Sequence, residues 1–159
     1  MAKIIRKNAV KRKRGYWYYV DIEGNVCMAK IESRKEATKK KAMRLVNKKC
    51  FNNKCEDVSK RGIGADLQYG EKAFIEVKGQ SNSYPVAFRI YDTALEKINS
   101  RKYKYYVYIV FNIRKKPKLL ILGKNIIGKH MRKSNQKGCQ NVLGIKTIIK
   151  KYNLKFKDL

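Results

Sequence analysis

The chain has 159 residues, of which 43% are hydrophobic and 11% aromatic, so it has the size and apolar content of one folded domain rather than of a disordered segment. Its 40 lysines and arginines against 12 acidic residues give a formal charge of +28, which indicates a polyanionic partner, nucleic acid above all. An anionic membrane surface, or a basic composition without a defined binding surface, is the alternative.

The sequence gives no sign of a membrane span or an export signal. The longest strongly apolar run, Tyr105–Phe111, is far shorter than a bilayer requires, and no apolar core follows the basic amino terminus. We therefore expect a cytoplasmic, nucleoid-associated protein with no membrane partner. Its four cysteines are irregularly spaced and are expected to be free thiols. Cys50 and Cys55 form at most half of a zinc site, because no second pair completes it.

Residues 1–32 are predicted to form a basic arm and a β-hairpin. Seven basic residues and no acidic one lie between Lys3 and Arg14, and two apolar stretches then flank Glu23-Gly24-Asn25. The segment is either a DNA-tracking arm or a small hairpin packed on the main domain with a frayed basic tail. The residues expected to bind DNA are Lys11, Arg12, Lys13 and Arg14. The aromatic residues available for stacking on a base are Tyr16, Trp17, Tyr18 and Tyr19.

Residues 33–125 have the pattern of helices alternating with strands. Ser33-Arg34-Lys35-Glu36 has the spacing of a capping box and predicts a helix that ends near Lys49. Its apolar stripe consists of Ala42, Met43, Val46 and Cys50. Two strands are predicted next, near Ala65–Gln68 and at Ala73–Lys78, joined by a turn at Tyr69-Gly70-Glu71.

The pattern continues toward the carboxyl terminus. A second capping box at Thr93-Ala94-Leu95-Glu96 predicts a short helix, and "YKYYVYIVFNI" predicts a buried central strand. Residues 118–123 predict one more strand. The basic tail, residues 126–159, contains one amphipathic helix marked by Ile145, Ile148, Ile149 and Tyr152. The predicted fold is therefore α/β, a mixed α+β sheet.

One strand carries charged residues whose spacing suggests chemistry. Glu76 and Lys78 alternate with Ile75 and Val77, so the two charged side chains project from one face of the sheet. If the preceding strand pairs with this one, Asp66 lies close to Glu76 and two carboxylates share a pocket with one ammonium. Such oxygen donors suit Mg²⁺, which polarises phosphate and lowers the pKa of bound water. The same spacing is also typical of a solvated face with a cross-strand ion pair.

The surrounding sequence resembles a nuclease superfamily. Asp66 follows the glycine-rich "SKRGIGAD", and the stretches "FRIYDTALEKI", "KYYVYIVFNI" and "PKLLILG" follow the Glu-Val-Lys segment. The arrangement resembles the PD-(D/E)xK superfamily, with its restriction-endonuclease-like fold, and within it most resembles the NO VEIN C-terminal domain over about residues 33–125. Ala65 stands where the name of the superfamily has proline.

This resemblance implies a set of site residues. Asp66, Glu76 and Lys78 are the implied catalytic residues, and Asp66 and Glu76 the implied ligands of Mg²⁺ or Mn²⁺. Glu36 is a candidate fourth acid, although its capping-box position already explains it. Gln80, two residues beyond Lys78, is a candidate accessory residue.

Other residues carry weaker signals. Lys60 and Arg61, in a glycine-flanked loop before Asp66, either bind backbone phosphate or form an ordinary basic loop. His130 is the only histidine, so neither a histidine-pair nuclease nor a Ser-His-Asp hydrolase can be built around it, and we expect it at the surface.

The sequence thus predicts a metal-dependent DNA endonuclease. DNA is preferred over RNA because the resemblance points to DNA-cleaving relatives. The alternatives are a catalytically inactive DNA-binding module of the same fold, and a nucleic-acid-coating protein that binds equally well without divalent metal. A homodimer would suit symmetric double-strand or junction cleavage, yet no interface can be identified from the sequence.

Overall fold

The computed structural model describes residues 10–31, 33–134 and 137–159. The chain divides into two compact units, Met1–Glu36 and Ala37–Leu159. Residues 1–9 of the predicted basic arm lie outside the described part. No helix of the described residues is long and apolar enough to cross a membrane.

The first unit contains the predicted β-hairpin. Strands β1 (Tyr16–Val20) and β2 (Val26–Lys30) pair in antiparallel register. The turn between them places Gly24 at φ 85°, a left-handed conformation that glycine adopts without steric strain. The Asp21 carboxylate accepts the backbone N–H of Asn25 at 2.8 Å and fixes the turn. The hairpin prediction is therefore confirmed.

Helix α1 (Arg34–Phe51) begins with the predicted capping box. The Ser33 hydroxyl accepts the N–H of Glu36 at 3.2 Å, and the Glu36 carboxylate accepts the N–H of Ser33 at 3.1 Å. The helix ends two residues beyond Lys49, where the sequence predicted its end.

The apolar stripe of α1 is confirmed at three of its four predicted positions. Ala42, Met43 and Val46 are buried, whereas Cys50 is exposed. Cys50 lies in the last turn, where it lines an open cavity of about 360 Å³ together with Lys157. All four cysteines are free thiols, as predicted.

Among the described residues, twelve further elements follow α1, besides one short 3₁₀ turn. In chain order they are β3 (Glu56–Asp57), β4 (Leu67–Tyr69), β5 (Ala73–Gly79), β6 (Phe88–Tyr91), the 3₁₀ turn (Asp92–Ala94), α2 (Leu95–Asn99), β7 (Lys104–Phe111), β8 (Lys118–Gly123), α3 (Lys124–His130), β9 (Met131–Lys133), β10 (Cys139–Val142), α4 (Ile145–Lys151) and β11 (Lys157–Asp158).

Six strands form the main sheet, in the order β11-β8-β7-β5-β4-β3. Only β5 and β7 pair in parallel among these neighbours, and the connection between them contains α2. Strand β7 lies between β5 and β8, and most of its residues are buried, as the sequence predicted for a central strand. The mixed sheet with helices confirms the predicted mixed α/β class.

The second, three-stranded sheet was not predicted. Strands β6, β10 and β9 pair antiparallel in that order. Each has only three or four residues, too few for alternation to mark it in the sequence. Residues 126–159, predicted as a basic tail with a helix, thus supply β9, β10, α4 and β11. Ile145 and Ile148 of α4 are buried, in agreement with the predicted amphipathic helix.

Two local predictions were wrong in detail. Thr93 provides no cap for α2, because the chain enters the helix through the 3₁₀ turn and the N-cap residue is Ala94. The strand predicted near Ala65–Gln68 begins at Leu67, because the Asp66 side chain, and not a backbone carbonyl, accepts the N–H of Val77.

The main sheet buries one apolar cluster on each face. Ile75 and Val77 of β5 pack with the buried side of α1 on one face. Phe74 packs on the other face with residues of α2, α3, α4 and the small sheet. Because side chains alternate along a strand, the even-numbered residues of β5 point to this second face.

Candidate active site

Asp66 is held rigidly just before β4. Its backbone N–H donates to the carbonyl of Ile75, and its carbonyl accepts the N–H of Val58, both at 2.9 Å. Its carboxylate Oδ2 accepts the N–H of Val77 at 2.9 Å. With only 2% of its surface exposed, Asp66 is a buried carboxylate of fixed orientation.

Contacts with α2 and β7 fix the glycine-rich loop before Asp66. Gly64, at φ 72°, approaches the backbone so closely that a Cβ atom there would lie 2.5 Å from the nitrogen of Ala94. The Tyr105 hydroxyl donates to the carbonyl of Gly64 at 2.9 Å, and Lys97 Nζ donates to that of Ile63 at 2.7 Å. These contacts explain why this loop needs glycine and how it positions Asp66.

Glu76 of β5 lies near Asp66. Leu67, the residue after Asp66, pairs with Ile75, the residue before Glu76, and the charge of Asp66 acts on the Glu76 carboxylate. Glu76 is also buried, and its Oε1 lies 2.6 Å from Nζ of Lys78. The structure therefore brings the three residues of the predicted site together, as the alternation along β5 indicated.

Lys39 of α1 is a fourth member that the sequence analysis missed. Its Nζ lies 2.5 Å from Oδ1 of Asp66. A signal was present, because Lys39 precedes the buried Ala42, Met43 and Val46 by three, four and seven residues and so begins the apolar stripe of the helix. A lysine beside the buried face of an amphipathic helix can reach an anionic partner on the sheet while part of its side chain stays in solvent.

Burial and charge shift the ionisation of this cluster. Burial raises the pKa of Glu76, and the charge of Asp66 raises it further, while Lys78 and Lys39 oppose the shift. For Lys39, burial works against the charged form, but the hydrogen bond and charge of Asp66 outweigh it and the pKa is raised. Burial, followed by the charges of Glu76 and Asp66, also raises the pKa of Tyr105.

The donor set suits Mg²⁺ or Mn²⁺ rather than structural zinc. Across residues 10–31, 33–134 and 137–159, no three Asp, Glu, His or Cys side chains converge to form a complete metal cage. Magnesium commonly takes one or two carboxylates and completes its shell with water and substrate phosphate. Asp66 and Glu76 supply those two carboxylates. A cation at Asp66 Oδ1 would have to displace Lys39.

Tyr91 borders the site. Nζ of Lys78 lies 5.8 Å from the centroid of its ring, within cation–π distance, and 53% of the residue is exposed. Tyr91 is the last residue of β6, a strand that was not predicted from the sequence. The position of Tyr91 next to Lys78 therefore could not be predicted either.

The remaining predicted site residues lie in varied surroundings. The side-chain amide of Gln80 donates to the carbonyl of Val86 at 3.1 Å and accepts the N–H of Val86 at 2.9 Å, and so fixes the loop after β5. Arg61 pairs with Glu56 at the surface, an arrangement that stabilises little. Lys60 is exposed.

Within the hairpin unit, Lys11, Arg12, Lys13 and Arg14 are exposed, and Glu36 forms the cap of α1. The functional roles of these residues stay predictions.

His130 is half-buried rather than at the surface. Its Nε2 lies 3.3 Å from the hydroxyl of Tyr152, so a contact between α3 and the end of α4 accounts for its position.

Fold and site together define a mixed α/β domain that buries two carboxylates against two lysines. Its sequence matches the family described as Protein NO VEIN, C-terminal, over residues 30–122. The match covers more than half of the chain, and the chain therefore belongs to the NO VEIN C-terminal family. Comparison with curated proteins gave no significant match.

Proposed function

We propose that the domain is a metal-dependent DNA endonuclease of the PD-(D/E)xK type. One observation carries the proposal: Asp66, just before β4, and Glu76 of β5 are both buried and interact through their charges, and Nζ of Lys78 lies 2.6 Å from Oε1 of Glu76. An ordinary surface ion pair needs neither this burial nor a second carboxylate. The element order α1, β3, β4, β5, β6, α2, β7 also supports the resemblance to restriction-endonuclease-like proteins.

Each of these residues would have its own role in phosphodiester hydrolysis. Asp66 and Glu76 would hold Mg²⁺ or Mn²⁺, which when bound polarises the phosphate and lowers the pKa of water. Lys78, held beside Glu76, would orient the attacking water and stabilise the charge that develops on the phosphate oxygens. The rigid hydrogen bonds of Asp66 keep its carboxylate in place without reorganisation.

A catalytically inactive DNA-binding module is the second candidate, and one contact favours it. The ion pair between Lys39 and Asp66 neutralises a carboxylate that the nuclease needs for its metal. In this alternative the two lysines balance the two acids permanently, and the basic surface alone binds DNA.

Cleavage assays on variants separate the two candidates. Supercoiled, linear and branched DNA would be incubated with Mg²⁺ or Mn²⁺. Asp66→Asn and Glu76→Gln should each reduce cleavage by orders of magnitude while metal-free DNA binding persists, because each removes a metal-binding charge with little change of shape. Lys78→Ala should impair turnover more than metal binding. The matched control is Glu71→Gln, an exposed carboxylate in the turn before β5, which should cleave normally.

Two results would contradict the nuclease proposal. Wild-type protein that cleaves none of these DNA forms with either metal would favour the binding module. Asp66→Asn and Glu76→Gln variants that cleave like the wild type would place the chemistry elsewhere.

A further inference from the structure

The outer face of the small sheet carries a row of polar side chains. Strand pairing places Arg89 of β6 opposite Asn141 of β10, and Asn141 opposite Arg132 of β9. Residues directly opposite each other share one face of a sheet. Phe88 and Ile90, the neighbours of Arg89, are buried in the core, whereas both arginines are exposed. The row therefore faces solvent.

Tyr91 joins this row to the candidate active site. It lies on the same face of β6 as Arg89, two residues further along the strand. Its ring centroid lies 5.8 Å from Nζ of Lys78. A ligand that runs along the row would thus arrive at the paired carboxylates.

The chemistry of the row is that of a phosphate-binding surface. The two guanidinium-bearing strands are separated by β10, so their backbones lie about 10 Å apart. Guanidinium groups bind phosphate oxygens bidentately, and the Asn141 amide between them is a further donor used for phosphate contacts. One N–H of Arg132 donates to the carbonyl of Met131 at 2.9 Å, which holds the guanidinium against β9. None of the three strand sequences contains an acidic residue.

The geometry points to this face, defined by Arg89, Asn141, Arg132 and Tyr91, as the surface that binds the DNA backbone and leads one strand to Asp66 and Glu76. The inference rests on the proposed function, because the adjoining site gives the surface its role. Charge complementarity selects the occupant: two exposed arginines on one sheet face fit a polyanion. The contacts are to phosphate, so the surface positions DNA without reading its sequence.

A binding experiment without catalysis tests the surface. Binding of a fluorescent 30-base-pair duplex, used as probe, would be measured in EDTA for wild type and for Arg89→Ala/Arg132→Ala. We expect the Kd to rise about tenfold or more. The negative slope of log K against log salt should become shallower by about two, because each lost phosphate contact removes about 0.9 from the size of that slope. The matched control is Arg101→Ala/Arg114→Ala, which removes two exposed arginines from turns elsewhere in the same unit.

A charge-preserving pair, Arg89→Lys/Arg132→Lys, controls for misfolding of the alanine pair. It should fold like the wild type and bind the duplex with an intermediate Kd. A Kd for the alanine pair within twofold of the control pair would overturn the inference and indicate a diffuse basic surface. An unchanged salt slope would do the same. These measurements need no cleavage. If the protein never cleaves DNA but the alanine pair binds DNA more weakly, the nuclease proposal is contradicted and the inference about the binding surface is supported.

Discussion

Asp66 contacts a lysine from α1, and Glu76 contacts one from its own strand. Lys78 reaches Glu76 from two residues along β5, a separation that any strand provides. Lys39 reaches Asp66 only because α1 packs against β5. The charges of the resting site therefore balance without metal, and any cation that binds Asp66 competes with an ammonium.

Lys39 is accordingly expected to weaken metal binding. Lys39→Met keeps the aliphatic stem but leaves Asp66 without its ion pair, so the metal-free protein should lose about 1–2 kcal/mol of stability, less than for a fully buried pair because the Lys39 side chain is 45% exposed. Mn²⁺ should then raise the melting temperature more than it does in the wild type, since a ligand that binds tighter stabilises more. Thermal denaturation with and without Mn²⁺ measures both effects.

Lys41→Met is the matched control, because Lys41 is exposed on the same helix. It should change neither the stability nor the response to Mn²⁺. If Lys39→Met responded to Mn²⁺ like the wild type, competition between lysine and cation at Asp66 would be ruled out.

The long elements could be predicted from sequence, and the short ones could not. The seven consecutive apolar residues of β7 and the alternation along β5 identified the central strands and placed Glu76 and Lys78 on one face. Strands β6, β9 and β10 are too short to show a period, so Tyr91 and its contact with Lys78 were missed. The ion pair of Lys39 with Asp66 depends on how α1 packs on the sheet, which local sequence does not specify.

That packing depends on one glycine. A Cβ atom at Gly79 would lie 2.7 Å from the carbonyl oxygen of Thr38 and 3.1 Å from Cβ of Ala42. Because the closest atom belongs to the backbone of α1, the helix would have to move away from β5 to accommodate any side chain.

Gly79→Ala should therefore destabilise the fold and disturb the site. We expect a loss of about 1–3 kcal/mol in the free energy of unfolding, as for other overpacked positions, together with a weaker ion pair between Lys39 and Asp66 as α1 moves away from β5. Urea denaturation measures the first effect. Gly123→Ala at the end of β8 is the control, since nothing lies within 4 Å of its added Cβ. Equal stability of the two variants would show that α1 tolerates the shift.

At the scale of the whole molecule, charge is the dominant property. A formal charge of +28 exceeds what the small-sheet row or the candidate site requires, so contacts with DNA should be numerous. Each contact releases condensed counterions. The basic arm belongs to the unit that ends at Glu36, and the two core clusters belong to the second unit, so removing the arm deletes no residue of either cluster.

Deleting residues 1–14 should consequently weaken DNA binding and leave the main fold intact. The deletion removes seven basic residues, and both the affinity for a duplex and the salt dependence between about 50 and 200 mM should fall, because fewer phosphates are neutralised. Titration at several salt concentrations measures this, and thermal denaturation checks the fold. A variant with glutamine at the same seven positions separates charge from chain length and should match the deletion. Full affinity in both variants would show that the arm does not contact DNA.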